Sequence, residues 1–118
     1  MSNIIIIEDN EFFQLLYHSD IKTIHHIIRQ QLPSETLRNM LMRGVQVFKE
    51  YVATKWLSDD RHMNQGVTPE DEAWGVENWS NLIISAGWKY IEYYFGRGVR
   101  INLCSTTEEA LEWLASMA

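Results

Sequence analysis

The chain opens on a run of β-branched residues, Ile4 to Ile7, whose composition favours a strand or a strand-like arm. Such a run is an aggregation hazard unless it is covered. Two extended stretches follow, Phe12 to His18 and Ile21 to Arg29, separated by the turn-forming pair Ser19-Asp20. This spacing predicts a hairpin with a two-residue loop. One face then carries Phe13, Leu15, Tyr17, Ile24, His26 and Ile28, the better core face. The other carries Gln14, Leu16, His18, Thr23, His25, Ile27 and Arg29, a mixed set expected to be partly wet.

The period then changes from two to 3.6. Leu37, Met40, Leu41, Gly44, Val45 and Phe48 form one helical stripe, with Arg43, Gln46 and Lys49 opposite. Ser34 is the expected N-cap, and the helix should end near Tyr51. Ala53 to Leu57 reads as a short strand, and the polar stretch from Ser58 to Val67 as a loop. Thr68-Pro69-Glu70-Asp71 is a helix start, with Thr68 as cap, Pro69 in the first helical position and Asp71 reaching back as in a capping box. That helix should reach Ala86, with Gly87 at its C-terminal cap. Spaced at 100° per residue, its core stripe is Val76, Trp79, Leu82, Ile83 and Ala86, with Trp74 pointing away. Trp88 to Phe95 and Val99 to Cys104 read as strands joined by Gly96-Arg97-Gly98. A second capping box at Ser105-Thr106-Thr107-Glu108 opens a final short helix with a stripe of Ala110, Leu111, Leu114 and Met117. After the isoleucine arm, the predicted order is β-β-α-β-α-β-β-α, an α/β chain with one mixed sheet and helices packed on it.

Composition narrows the function classes. A length of 118 residues fits one domain, and 46% hydrophobic with 22% charged residues is ordinary for a globular chain. Ten basic against 16 acidic residues give −6, with the basic residues scattered singly, so no nucleic-acid surface is expected. With one cysteine, Cys104, there is no intrachain disulfide to form, and its apolar strand context reads as a buried small hydrophobe. Ile4 to Ile7 is too short and lacks the basic flank of a signal peptide, and no apolar run approaches a bilayer span. A cytoplasmic protein is the expectation.

Several segments carry a resemblance. Ala53-Thr54-Lys55-Trp56-Leu57-Ser58-Asp59-Asp60-Arg61-His62-Met63 resembles a segment of small bacterial proteins with the STAS-like fold, the fold of anti-sigma-factor antagonists. So do Thr68-Pro69-Glu70-Asp71-Glu72-Ala73-Trp74, Glu77-Asn78-Trp79, Ala86-Gly87-Trp88-Lys89 and the tail from Thr107 to Leu114. Most of that group has no assigned activity. The resemblance implies an interaction domain without catalysis, switched in better-known relatives by phosphorylation of a serine where a helix follows the third strand; some relatives bind nucleotides or lipids. The nearest match to that serine is Ser58. The chain departs from the group in the short Gly96 to Gly98 connection, since a parallel crossover needs a dozen or more residues. Its flanking strands form a hairpin, or pair with a second chain, or lack residues between Phe95 and Val99. A dimer made by strand exchange or at a sheet edge is therefore a partner expectation.

Candidate chemistry centres on Ser58-Asp59-Asp60-Arg61-His62, a polar cluster after a strand end, where α/β folds place ligands. A hydrolase would need Ser and His about 3 Å apart with a separate acid, and no G-x-S-x-G elbow is present. The bland reading is that Asp59 and Asp60 cap turns or pair with Arg61. His18, His25 and His26 suggest metal ligands at first sight. A two-residue loop, however, puts His25 opposite Gln14 and roughly 13 Å from His18, while His26 points to the other face. No phosphate-binding glycine loop, paired catalytic carboxylates or CxxC occurs, and no metal or cofactor is expected. Trp74, a large aromatic off the predicted core stripe, packs under the 59–67 loop or meets a partner. Contact candidates are thus Ser58, Asp59, Asp60, Arg61, His62 and Trp74, in a non-enzymatic domain serving a protein partner. The rival is a carrier for a small apolar ligand or lipid, held between helices and sheet.

Overall fold

Among the described residues four strands lie side by side in sequence order: β1 (Ile4–Asp9), β2 (Phe13–His18), β3 (Thr23–Ile28) and β4 (Lys55–Asp59). The computed structural model describes residues 3–87 together with Leu111 and Ala115. β1–β2 and β2–β3 are antiparallel, whereas β3–β4 is parallel. The parallel pair is connected by α1 (Ser34–Glu50), as such a crossover requires. A second helical segment consists of α2 (Pro69–Trp74), a π turn (Gly75–Trp79) and α3 (Ser80–Ser85). Among the described residues the fold is thus a mixed α/β arrangement, a four-stranded sheet with these helices packed on one face. The predicted strands 88–95 and 99–104 lie outside the described residues. So do Trp88, Cys104 and Trp113; of the predicted final helix, Leu111 and Ala115 are described and both are helical.

The hairpin faces follow the predicted alternation, but the register does not. His18 pairs with Thr23 and Leu16 with His25, so the loop is 19–22 and not the pair Ser19-Asp20. Lys22 adopts a positive φ of 51°, and the Thr23 hydroxyl donates to the Ile21 carbonyl at 3.0 Å, which takes Ile21 out of the ladder. A shift of two residues preserves both faces, because side chains alternate with period two. It does bring His18 and His25 together. The face expected to be partly wet is dry along its middle, where His18, Thr23, His25, Lys55 and Asp59 are buried, while Gln14 and Ile27 are half-buried and Arg29 is exposed at its end.

The other face builds the core. Phe13, Leu15, Tyr17, Ile24 and Ile28 meet Leu37, Met40, Val45, Val47 and Phe48 of α1, with Trp56, Trp79 and Ile83. The α1 stripe is the predicted one, extended by Val47. Its N-cap differs. Pro33 holds that position without a side-chain bond, and the Ser34 hydroxyl instead donates to Asp71 at 2.7 Å. At the far end Val52 N–H reaches the Lys49 carbonyl and Ala53 N–H the Phe48 carbonyl, a Schellman closure. Its left-handed position is filled by Val52, exposed and at φ 55°. A β-branched residue is strained there, whereas glycine is not. Val52→Gly should therefore stabilise the chain by about 1 kcal/mol, visible as a higher midpoint in urea unfolding; an unchanged or lower midpoint would show that the strain is negligible.

The second helix keeps its predicted ends. Thr68 Oγ1 accepts from the Asp71 N–H at 3.1 Å, Pro69 leads the helix, and Gly87 closes it at φ 109°. Of its predicted inner stripe, Trp79 and Ile83 are buried and Ala86 packs against the core, but Val76 and Leu82 do not follow. Asp71, Gly75, Trp79 and Ile83 face inward, while Val76 and Leu82 are exposed. These inner positions recur every fourth residue, which a 3.6-residue helix would carry progressively round its axis. The π turn has more residues per turn and holds the series on one face. Ser80, whose backbone N–H bonds the Gly75 carbonyl, also sends its hydroxyl to that oxygen at 3.0 Å.

Candidate functional site

The predicted polar cluster begins later than expected, because β4 runs through Asp59. Ser58 is a half-buried strand residue paired with His26, and α2 starts only at Pro69. Ser58 is therefore not at a helix N-terminus, the position that the phosphoserine of STAS-like regulators occupies. Alternation along β4 turns Trp56 and Ser58 to the helix side, and Lys55, Leu57 and Asp59 to the opposite side. The cluster is thereby split between two faces.

On the helix side the indole N–H of Trp56 donates to His26 Nδ1 at 3.1 Å, and His26 Nε2 stands 2.7 Å from Asp60 Oδ1. An indole can only donate. Nδ1 is therefore the acceptor, and the ring proton sits on Nε2, facing the Asp60 carboxylate. Both imidazole nitrogens are engaged, so neither is left to take a proton from Ser58. Partial burial pushes the Asp60 carboxyl up, but the adjacent His26 outweighs it and holds the group below the usual carboxylate range.

On the opposite side Asp59 is buried and Arg61 exposed, and the guanidinium grips the carboxylate with Nε at 2.8 Å and Nη2 at 2.7 Å. This fork-to-fork pair is the strong geometry for arginine. The Arg61 hydrogen bonds lower the Asp59 pKa against the opposing effect of burial. The expected pairing of an aspartate with Arg61 is therefore Asp59–Arg61, while Asp60 is held by His26. His62 is exposed at the tip, and Met63 is buried beneath it.

The histidines do not follow the expected separation. His18 Nε2 and His25 Nδ1 are 3.0 Å apart, with the rings stacked at 5.2 Å between centroids. One nitrogen must donate and the other accept, so the two rings cannot both be protonated. Burial lowers the His18 pKa, with Asp20 opposing. Burial pushes His25 down to about 3, with His18 and His26 adding to the effect. His25 Nε2 is buried and has no hydrogen-bond partner among the described residues. Among the described residues, no three His, Cys, Asp or Glu converge to hold a metal ion.

Trp74 is half-buried against the core and does not stand off it. The Arg38 guanidinium of α1 lies 5.2 Å from its ring centroid. Arg38 Nε also binds Asp71 Oδ1 at 2.9 Å, while Ser34 binds the other oxygen. The Asp71 carboxylate keeps a bond from Thr68 at its own helix start and also ties α2 to the start of α1. Burial raises the pKa of this carboxyl, and the bonds from Ser34, Arg38 and Thr68 more than reverse that. Asp71→Asn keeps one acceptor but loses the charge on Arg38, and should cost about 1 kcal/mol in chemical denaturation at pH 7. A loss below a few tenths would mean the carboxylate charge is irrelevant to the helix pair.

Reading the sequence missed the Trp56–His26–Asp60 chain and the Ser34–Asp71–Arg38 bridge. One signal was available: an imidazole on a core face must find partners, and His26 shares that face with Leu15 and Ile24. An open trough of about 560 Å³ lies between α1 and α3, lined by Met42, Val45, Gln46, Lys49, Glu50 and Leu82. No helix among the described residues is long and apolar enough to cross a membrane. Comparison with protein-family models, curated proteins and solved structures finds nothing that matches this chain.

Proposed function

We propose that the chain is a non-enzymatic interaction domain of STAS-like type, which presents the turn after β4 to a protein partner and associates with a second copy through a sheet edge. The observation that carries the first part is the internal engagement of the cluster. His26 spends both nitrogens on Trp56 and Asp60, and Asp59 spends both oxygens on Arg61. Side chains committed in this way fix the shape of a turn and are poorly placed to shuttle protons. The same bonds leave the Arg61 and His62 side chains exposed on a rigid frame, with both signs of charge at hand. A preorganised polar projection of this kind suits recognition, since little ordering entropy remains to be lost on binding. The exposed apolar residues of β1 support the second part.

The test is quantitative affinity purification from the native cell with the full chain and with His62→Ala, whose exposed side chain has no structural role in the bonds above. A protein enriched by the parent chain and lost from the variant supports the reading. If both chains capture the same proteins in equal yield, the turn is not the contact surface.

A further inference from the structure

Among the described residues β1 is the edge strand of the sheet, and none of them pairs with its outer side. Ile4, Ile5 and Ile6 are 48%, 39% and 60% exposed, on a strand with few charges to discourage pairing. The backbone register is readable. Ser19 N–H donates to the Asn3 carbonyl at 2.9 Å, and Ile5 lies opposite Tyr17, so Asn3 and Ile5 turn their backbone groups inward to β2. The N–H and C=O of Ile4 and Ile6 therefore point outward. At Ile7 a bulge breaks the register, and Glu8 and Asp9 follow. The open edge is a short apolar ladder closed at one end by two carboxylates.

We infer that β1 pairs antiparallel with β1 of a second copy, on a two-fold axis through Ile5, joining the two sheets into one. This rests on the self-association in the function proposed above and specifies its edge and register. The outward groups of Ile4 in one copy meet those of Ile6 in the other, and each such pair exchanges both bonds. Ile5 then faces Ile5 across the axis. The occupant is a second copy because this edge is complementary to itself: isoleucine meets isoleucine on both faces, as a two-fold interface requires. Charge selects the direction. A parallel pairing would place Glu8 and Asp9 beside their own copies in a chain that already carries −6, whereas the antiparallel one sends them to opposite ends.

The register has a covalent test. In a directly opposed, non-hydrogen-bonded pair the Cα atoms are about 4.5 Å apart, within disulfide reach. With Cys104 changed to Ser, Ile5→Cys should form a covalent dimer under mild oxidation. Ile6→Cys in the same background should not, because Ile6 faces Ile4 and its own copy is roughly 8 Å away. Ile6→Lys, at the most exposed position, should weaken dimerisation at least tenfold in sedimentation equilibrium while leaving the circular dichroism spectrum unchanged. Dimers that form without crosslinking at position 5 and ignore Ile6→Lys would overturn this edge and register yet leave self-association standing. A chain monomeric up to millimolar concentration would overturn both.

Discussion

Gly44→Ala should destabilise the protein by about 2 kcal/mol, the reverse of what helix propensity alone would give. In an exposed helix interior, alanine is favoured over glycine by up to about 1 kcal/mol. Gly44 lies at the middle of α1 with the Trp56 ring directly over it. A Cβ placed there would press on Trp56 Cη2 and come within 2.7 Å of Cζ3. The sign depends on whether the indole can give way. Trp56 is 3% exposed, its Nε1 is bonded to His26, its ring meets Trp79 edge-on at 5.3 Å, and Phe48 is stacked 6.4 Å away. Trp79 is itself tied to the Leu41 carbonyl at 3.0 Å. A ring held on three sides relaxes only by disturbing its neighbours, and overpacking of this kind costs about 1–3 kcal/mol or more. Thermal unfolding should show a midpoint lower by roughly 8 °C. In a double-mutant cycle, Trp56→Phe should recover much of the loss, since the smaller ring vacates the space. Additive losses, or a more stable Gly44→Ala chain, would show that the helix and the indole do not contact as described.

Acidification from pH 7 to pH 4 should remove about 3 kcal/mol of stability through His25 alone, and about 2 kcal/mol of that by pH 5. In the unfolded chain an imidazole takes up its proton near 6.5. In the folded chain His25 refuses it until about 3, because burial disfavours the imidazolium and the His18 and His26 rings add to that effect. The contribution is complete above about 6.5. It falls between there and about 3, where the unfolded chain binds a proton that the folded chain does not. His18, lowered in the same direction by burial, adds to the loss. Asp59, Asp60 and Asp71 are held below their ordinary values, so their contributions are present above the unfolded carboxylate range and disappear in stronger acid. Each of these histidine and aspartate shifts therefore makes the fold more labile to acid. Urea titrations at pH 7, 6, 5 and 4 measure the slope. His25→Gln, less stable at pH 7, should lose about 2 kcal/mol less than the parent chain between pH 7 and pH 5. Parallel pH profiles for the two chains would exclude His25 as the source.

Local chemistry made the elements legible. The α1 stripe, the Thr68-Pro69 start and the Gly87 stop depend on neighbours within a few residues, and they stand where periodicity and capping put them. The two hairpin faces were readable for the same reason. The register was not, because one positive φ at Lys22 lengthens the loop without altering the alternation. That slip of two residues separates a distant histidine pair from one in hydrogen-bond contact. On the second helix the fixed 100° step placed Trp79, Ile83 and Ala86 on the inner side but also put Val76 and Leu82 there, because it cannot foresee a π turn that brings Gly75 inward instead.

The sequence by itself determined the kinds of element, their order through Ala86, the apolar side of the sheet and the polar identity of the turn after β4. These follow from backbone propensity and side-chain period, which act over one or two turns of chain. The tertiary structure alone decided which polar groups meet: Trp56 with His26 and Asp60, Ser34 with Asp71 and Arg38, His18 with His25. Hydrogen bonds and ring contacts reach only a few ångströms, so their partners across the chain are fixed by strand register and helix placement, which no local pattern encodes.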